Sequence, residues 1–171
     1  MAAIDFLPLF SVKVNHGSGC LIQPSSDDYS FVLTARHVLN DEQDQKPVVL
    51  RQHLTEGVLV EQMIPVLEIY YHPNPAVDAA IIKVEKVDDI AALQTAKAEL
   101  GNLHDCHLIG HPATRRGQGK YSFRSNQISA FINHQVNHSI EASLNPVVIR
   151  SEVVGQSGGG IIILLGEQLL L

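Results

Sequence analysis

Gly155-Gln156-Ser157-Gly158-Gly159-Gly160, running directly into Ile161-Ile162-Ile163-Leu164-Leu165, is the stretch whose reading decides the fold. The glycines permit backbone conformations that a Cβ would forbid, and they let another group approach the main chain closely. The aliphatic run after them is rich in β-branched residues and reads as a buried strand. Such a turn can aim the N–H groups of Gly155 and Ser157 at one point beside the Ser157 hydroxyl. A serine hydroxyl at its ordinary pKa is a weak nucleophile, so it needs a base, and the base needs an orienting partner. The same glycines also suit a flexible loop before a strand. A spaced Gly-x-Ser-x-Gly turn in an α/β-hydrolase is followed by a helix, whereas here a strand follows, which favours an all-β setting.

Working outward, a histidine stands at the end of a strand-like run. Tyr29-Ser30-Phe31-Val32-Leu33-Thr34 is aromatic and β-branched and leads into Ala35-Arg36-His37-Val38. A carboxylate opens another such run, Asp78-Ala79-Ala80-Ile81-Ile82-Lys83-Val84, after the stiff loop His72-Pro73-Asn74-Pro75. An acid in that place is expected to be half buried and therefore paired, with histidine a natural partner. As an isolated residue it equally suits a turn.

The remaining segments are mostly short strands. Residues 7–14 read as a first strand and His16-Gly17-Ser18-Gly19 as a turn. Residues 47–51, 58–64 and 66–71 read as strands, with Thr55-Glu56-Gly57 as a hairpin turn. Residues 87–102, containing Ile90 to Ala98, read as a helix or extended linker. Strand patterns resume at 103–111, 121–133, 136–140 and 147–150. The predicted architecture is all-β, with two antiparallel β-barrels: residues 1–88, a connection at 89–102, and residues 103–171, together one domain.

Composition narrows the function. The 171 residues are 45% hydrophobic, enough for a real core, and the formal net charge of -6 argues against nucleic-acid binding. No signal-peptide pattern opens the chain and no apolar stretch is long enough to span a membrane. Two cysteines, Cys20 and Cys106, make no disulfide framework, and a reducing, cytoplasmic setting is expected. His104, Cys106, His107 and His111 invite a metal reading. Strand alternation divides them between two faces, however, so neither a metal nor a cofactor is expected.

Taken together, Gly17-Ser18-Gly19, Leu33 to Val38, Asp78 to Ile82, Gly110-His111-Pro112 and Gly155 to Gly159 resemble the trypsin-like (chymotrypsin-fold) serine peptidases, of the bacterial disulfide-free type. The order His, Asp, Ser is that of the family, and the separations are 41 and 79 positions. The resemblance implies a serine endopeptidase acting on polypeptides through an acyl-enzyme. Ser157 is then the nucleophile, His37 the base, Asp78 its orienting partner, and the N–H groups of Gly155 and Ser157 the oxyanion hole. It implies that Ser151, six residues before the nucleophile, floors the substrate pocket, with Glu152 beside it. Val38 stands where digestive members have cysteine, and Gln156 where they have an aspartate that pairs with a new N-terminus, so that activation switch is expected to be absent. Fourteen residues follow Ser157, fewer than the family's second barrel uses. The second barrel is therefore expected to be truncated, with regulatory domains beyond residue 171. The alternative is a trypsin-like binding or sensor module without activity.

Overall fold

The computed structural model describes residues 3–24, 28–39, 46–88, 90, 103–115, 120–133, 139–144, 154–165 and 168–170. It is a nearly all-β chain of two antiparallel sheets. The first holds β1 (Ser11–Val14), β2 (Gly17–Ile22), β3 (Tyr29–Thr34), β4 (Val49–Thr55), β5 (Val58–Met63), β6 (Val66–Tyr71) and β7 (Ala80–Glu85), in the order β5-β4-β1-β2-β3-β7-β6. The second holds β8 (Leu103–Gly110), β9 (Arg124–Asn133), β10 (Ser139–Leu144), β11 (Ile161–Leu165) and β12 (Gln168–Leu170), in the order β10-β9-β8-β11-β12.

The two edges of the first sheet, β5 and β6, are joined by Ile64 and Pro65 alone. The chain can pass from one edge to the other in two residues only if the sheet is rolled until its edges meet there. The Ile64 N–H donates to the Val49 carbonyl and the Glu85 N–H to the Pro65 carbonyl, fastening that corner to both neighbours. No ladder joins β5 to β6, so the roll is not a closed barrel. The β4–β5 hairpin turns as its residues require: Glu56 and Gly57 both have positive φ, 51° and 80°, the pair of left-handed residues a two-residue hairpin needs.

Inside the roll Val12, Val14, Leu21, Val32, Val49, Ile82 and Val84 are fully buried, each contributing about 1.5–3 kcal/mol of burial. A second core of Leu7, Phe10, Cys20, Ile109 and Ile162 lies between the sheets. Strand β2 therefore contributes to both cores, with Leu21 on one side and Cys20 on the other. Burial pushes the Cys20 thiol up to about 12, so it behaves as a small apolar side chain.

Three expectations change here. Residues 7–14 are not one strand: Ala3–Phe10 is a 3-10 segment containing Pro8, and the strand begins at Ser11. Leu7 and Phe10 are buried together, a spacing of three that suits the 3-10 repeat and not the two-residue repeat of a strand. Gly17-Ser18-Gly19 is strand rather than turn. The reversal is made at Asn15-His16, with Asn15 at φ 42°, and the glycines serve close packing. A Cβ on Gly17 would collide with Val38 Cγ2 and would stand 2.7 Å from Val38 Cγ1 and 2.9 Å from the Ser157 carbonyl oxygen. The strand expected from Asp78 starts at Ala80. The expected helix or linker from Ile90 to Ala98 lies outside the described residues, apart from the buried Ile90, as does the expected strand at 147–150.

Gly19 gives a test of the first core. A Cβ there would meet Val32 and would stand 3.0 Å from Val14 and 3.1 Å from Val12. Gly19→Ala should destabilise the protein by about 1–3 kcal/mol in urea unfolding. Val32→Ala, which opens the space, should recover part of that loss in the double variant. Simple additivity of the two losses would contradict the packing described.

Candidate active site

His37 and Asp78 reach each other from the same end of the paired strands β3 and β7. Strands β3 and β7 pair from Tyr29↔Glu85 to Thr34↔Ala80, so the residues just past the Thr34 end and just before Ala80 emerge side by side. His37 lies in the 3-10 turn Arg36–Leu39, anchored by buried Val38 and Leu39. Asp78 lies in the loop preceding β7, where Asn74 accepts the Ala76 N–H on its side chain and the Val77 N–H on its carbonyl.

The contact is double. The His37 backbone N–H donates to Asp78 Oδ1 at 2.8 Å, and His37 Nδ1 meets Asp78 Oδ2 at 2.6 Å. An ionised carboxylate only accepts, so the ring proton sits on Nδ1 and neutral His37 presents a bare Nε2. Asp78 is held below the ordinary carboxylate value. The His37 backbone N–H is the largest cause, the His37 ring and the Arg36 N–H add to it, and partial desolvation opposes it. The expected half-burial is corrected: the two side chains are 57% and 55% exposed. Hydrogen bonds to the backbone and ring, rather than a dry environment, fix this carboxylate.

The Ser157 loop comes from the second sheet and is fastened to the first. Four successive carbonyls are engaged. Val154 accepts from Ala113 N–H at 2.7 Å, and Gly155 from Ser18 Oγ at 2.9 Å. Gln156 accepts from Gly159 N–H at 2.8 Å, and Ser157 from Ser18 N–H at 2.7 Å. In a planar trans peptide the N–H points opposite to the carbonyl before it. The N–H groups of Gly155 and Ser157 are thus directed away from the partners that hold the Val154 and Gln156 carbonyls. Gly155 and Gly158 have φ of 94° and 81°, which a side chain would strain. A Cβ on Gly158 would stand 2.7 Å from Ala35 N, so the loop touches the chain two residues before His37. Ser157 itself is exposed. A cleft of about 320 Å³ is lined by Thr34, Ala35, Asp78 and Ala79 on one side and Gly158, Gly159 and Gly160 on the other.

Ser151 and Glu152 lie outside the described residues. The histidine–cysteine group is put to structural use. Cys106 is buried, His107 Nδ1 is 2.8 Å from Ser125 Oγ, and His111 Nδ1 is 3.0 Å from Ser122 Oγ. Among the described residues no three metal-ligating side chains converge, and no helix there is long and apolar enough to cross a membrane. His134 and His138, a second histidine pair in the sequence, lie outside the described residues. Ser18, Ala113 and Thr34 were not singled out in the sequence. Only the glycines around Ser18 and the Gly-His-Pro before Ala113 hinted at a close approach.

The family model for the trypsin-like peptidase domain matches residues 17–167 of the chain. No curated protein matches it in sequence. Among solved structures, kallikrein-related peptidase 10 is similar over 95% of this chain and 79% of its own, with a TM-score of 0.64 at 19% identity. The inactive form of the Rv3671c protease, from M. tuberculosis H37Rv, is similar over 94% of this chain and 74% of its own, with a TM-score of 0.58 at 18% identity. At such identities the likeness is one of fold.

The His37–Asp78 pair should be visible in the acid limb of stability. Because the folded pKa of Asp78 is depressed, its contribution is fully present above the unfolded aspartate value of about 4. It is lost as pH falls through the folded value. Asp78→Asn should therefore flatten the dependence of the melting temperature on pH below about 4. Identical acid limbs in the two proteins would remove the argument.

Proposed function

This chain belongs to the trypsin-like peptidase family and is a serine endopeptidase acting on polypeptides, and on that premise we propose that hydrolysis runs through an acyl-enzyme on Ser157. The observation that carries the reading is the doubly bonded His37–Asp78 pair, whose Asp78 lines the same cleft as the glycine turn after Ser157. Ser157 Oγ attacks the scissile carbonyl while His37 Nε2 removes its proton. His37 then protonates the leaving amine, and water, deprotonated by the same nitrogen, releases the acyl group. Asp78 keeps the proton on Nδ1 and stabilises the imidazolium formed in each step. The developing oxyanion is met by the N–H groups of Gly155 and Ser157, each such donor being worth about 3 kcal/mol in this chemistry.

Ser157→Ala or His37→Ala should abolish turnover of an unstructured polypeptide, and Ser157→Ala should abolish covalent labelling by a fluorophosphonate. Asp78→Asn should keep the fold and lose about 10⁴ in kcat, since the wrong tautomer then faces the serine. Turnover that survives in Ser157→Ala would exclude the mechanism. A well-folded chain with neither turnover nor labelling would favour the binding-module alternative.

Selectivity follows from Ser151 in the same proposal. A neutral pocket floor gives no fixed counter-charge for a basic side chain, and Glu152 beside it supplies at most a weak one. A peptide library should show less than about tenfold preference for Arg or Lys, set against the roughly hundredfold or greater preference that a buried charge partner confers.

A further inference from the structure

Ser18 is fully buried at the join of the two sheets, and its hydrogen-bonding groups face in definite directions. The His111 N–H can only donate, so the Ser18 hydroxyl accepts there, at 2.9 Å. Its single proton goes to the Gly155 carbonyl, also at 2.9 Å. The Ser18 N–H donates to the Ser157 carbonyl at 2.7 Å, and the Ser18 carbonyl takes the Thr34 hydroxyl at 2.7 Å. One residue of the first sheet thus holds main-chain oxygens on both sides of Gln156. Gly110 leaves the room for this: a Cβ on it would stand 3.0 Å from Ser18 Oγ.

We propose that Ser18 is a positioning residue for the Ser157 loop: its hydroxyl fixes the Gly155–Gln156 peptide, the link between the two peptides that carry the Gly155 and Ser157 N–H groups, and so holds those two in register with each other. The proposal rests on the reading of Ser157 as nucleophile and deepens it. A fastening is needed because Gly155, at φ 94°, has no Cβ to favour one orientation of its peptide over another. The neighbouring side chain does not supply one. Gln156 Nε2 is buried without a partner among the described residues, and Gln156 Oε1 is 3.4 Å from Asn126 Nδ2. The Ser18 hydroxyl is well placed to act here, being rigid, dry and seated on a strand. It accepts from a backbone N–H, so it cannot turn away without stranding that donor.

The inference is tested by Ser18→Ala, with Ser18→Gly as the second variant should the first fail to fold. Hydrogen exchange, read in the Ser157→Ala background, does not depend on catalysis. The peptide spanning residues 154–160 should exchange at least about tenfold faster without Ser18 Oγ, with strands β1 to β4 unchanged. In the otherwise wild-type chain, kcat per fluorophosphonate-titrated site should fall about 10- to 100-fold with KM within about twofold. A merely structural role would lower the number of titrated sites and leave the rate per site alone. Loop exchange that does not change, or a kcat per site within twofold of wild type, would overturn the proposal. If the wild-type chain shows no Ser157-dependent turnover, the acyl-enzyme reading fails instead, and loop exchange alone decides whether Ser18 holds the loop.

Discussion

Close packing around β2 is the constraint on which the rest of the structure depends. This strand has Leu21 in the core of the rolled sheet and Cys20 in the core between the sheets, so neither face is left to solvent. Gly17 and Gly19 allow it, since a side chain at either would collide with Val38 or with Val12, Val14 and Val32. With those positions bare, β2 lies close enough to the Ser157 loop for main-chain hydrogen bonds to pass between sheets. Protein interiors are packed at near-crystalline density, so the distance across such a join is set by the smallest residues in it.

A polar chain runs through the same join. The Gln52 amide spends both N–H groups and both lone pairs: Nε2 on Glu61 at 2.6 Å and the Lys120 carbonyl at 2.9 Å, Oε1 on the N–H and hydroxyl of Ser122. Ser122 gives its proton to Gln52, so its oxygen takes the His111 Nδ1–H, and the His111 N–H continues to Ser18. Glu61 at the outer end is held below its ordinary value, first by Lys13 and then by Gln52. Buried polar groups cost free energy unless they are paired, so sliding one sheet against the other would strand the groups bonded here. Apolar contacts at Ile109 and Ile162 supply attraction between the sheets, whereas the Gln52–Ser122–His111–Ser18 chain supplies register.

The exposed His37–Asp78 pair makes sense beside this. An ion pair with both partners more than half exposed is screened by water and contributes little to stability. Its geometry must come from elsewhere, and it comes from the backbone: the β3–β7 register, the turn at Arg36–Leu39, and the Asn74 turn before Asp78. In the proposed mechanism the chemistry is thus carried by side chains that the fold places but does not bury, and by main-chain groups that the fold holds in place.

Local patterns single out His37, Asp78 and Ser157 as candidates, because each stands at the end or head of a strand-like run and the glycines after Ser157 are unusual, and the structure joins the first two. The strand β6 and the Glu56-Gly57 turn were legible for the same reason: alternation and left-handed positions are properties of a few consecutive residues. Fold class and family followed from the order of those motifs. Other features were not legible, since they depend on residues far apart in the chain. Gly17-Ser18-Gly19 looks like a turn in isolation and is a strand because Val38 and Ser157 press against it. Residues 7–10 look extended but coil, because Leu7 and Phe10 must both enter the core between the sheets. Asp78 was expected to be half buried and is exposed, since a strand's burial does not extend to the loop before it. The role inferred for Ser18 depends on a carbonyl 137 positions away, a proximity that only the tertiary structure creates.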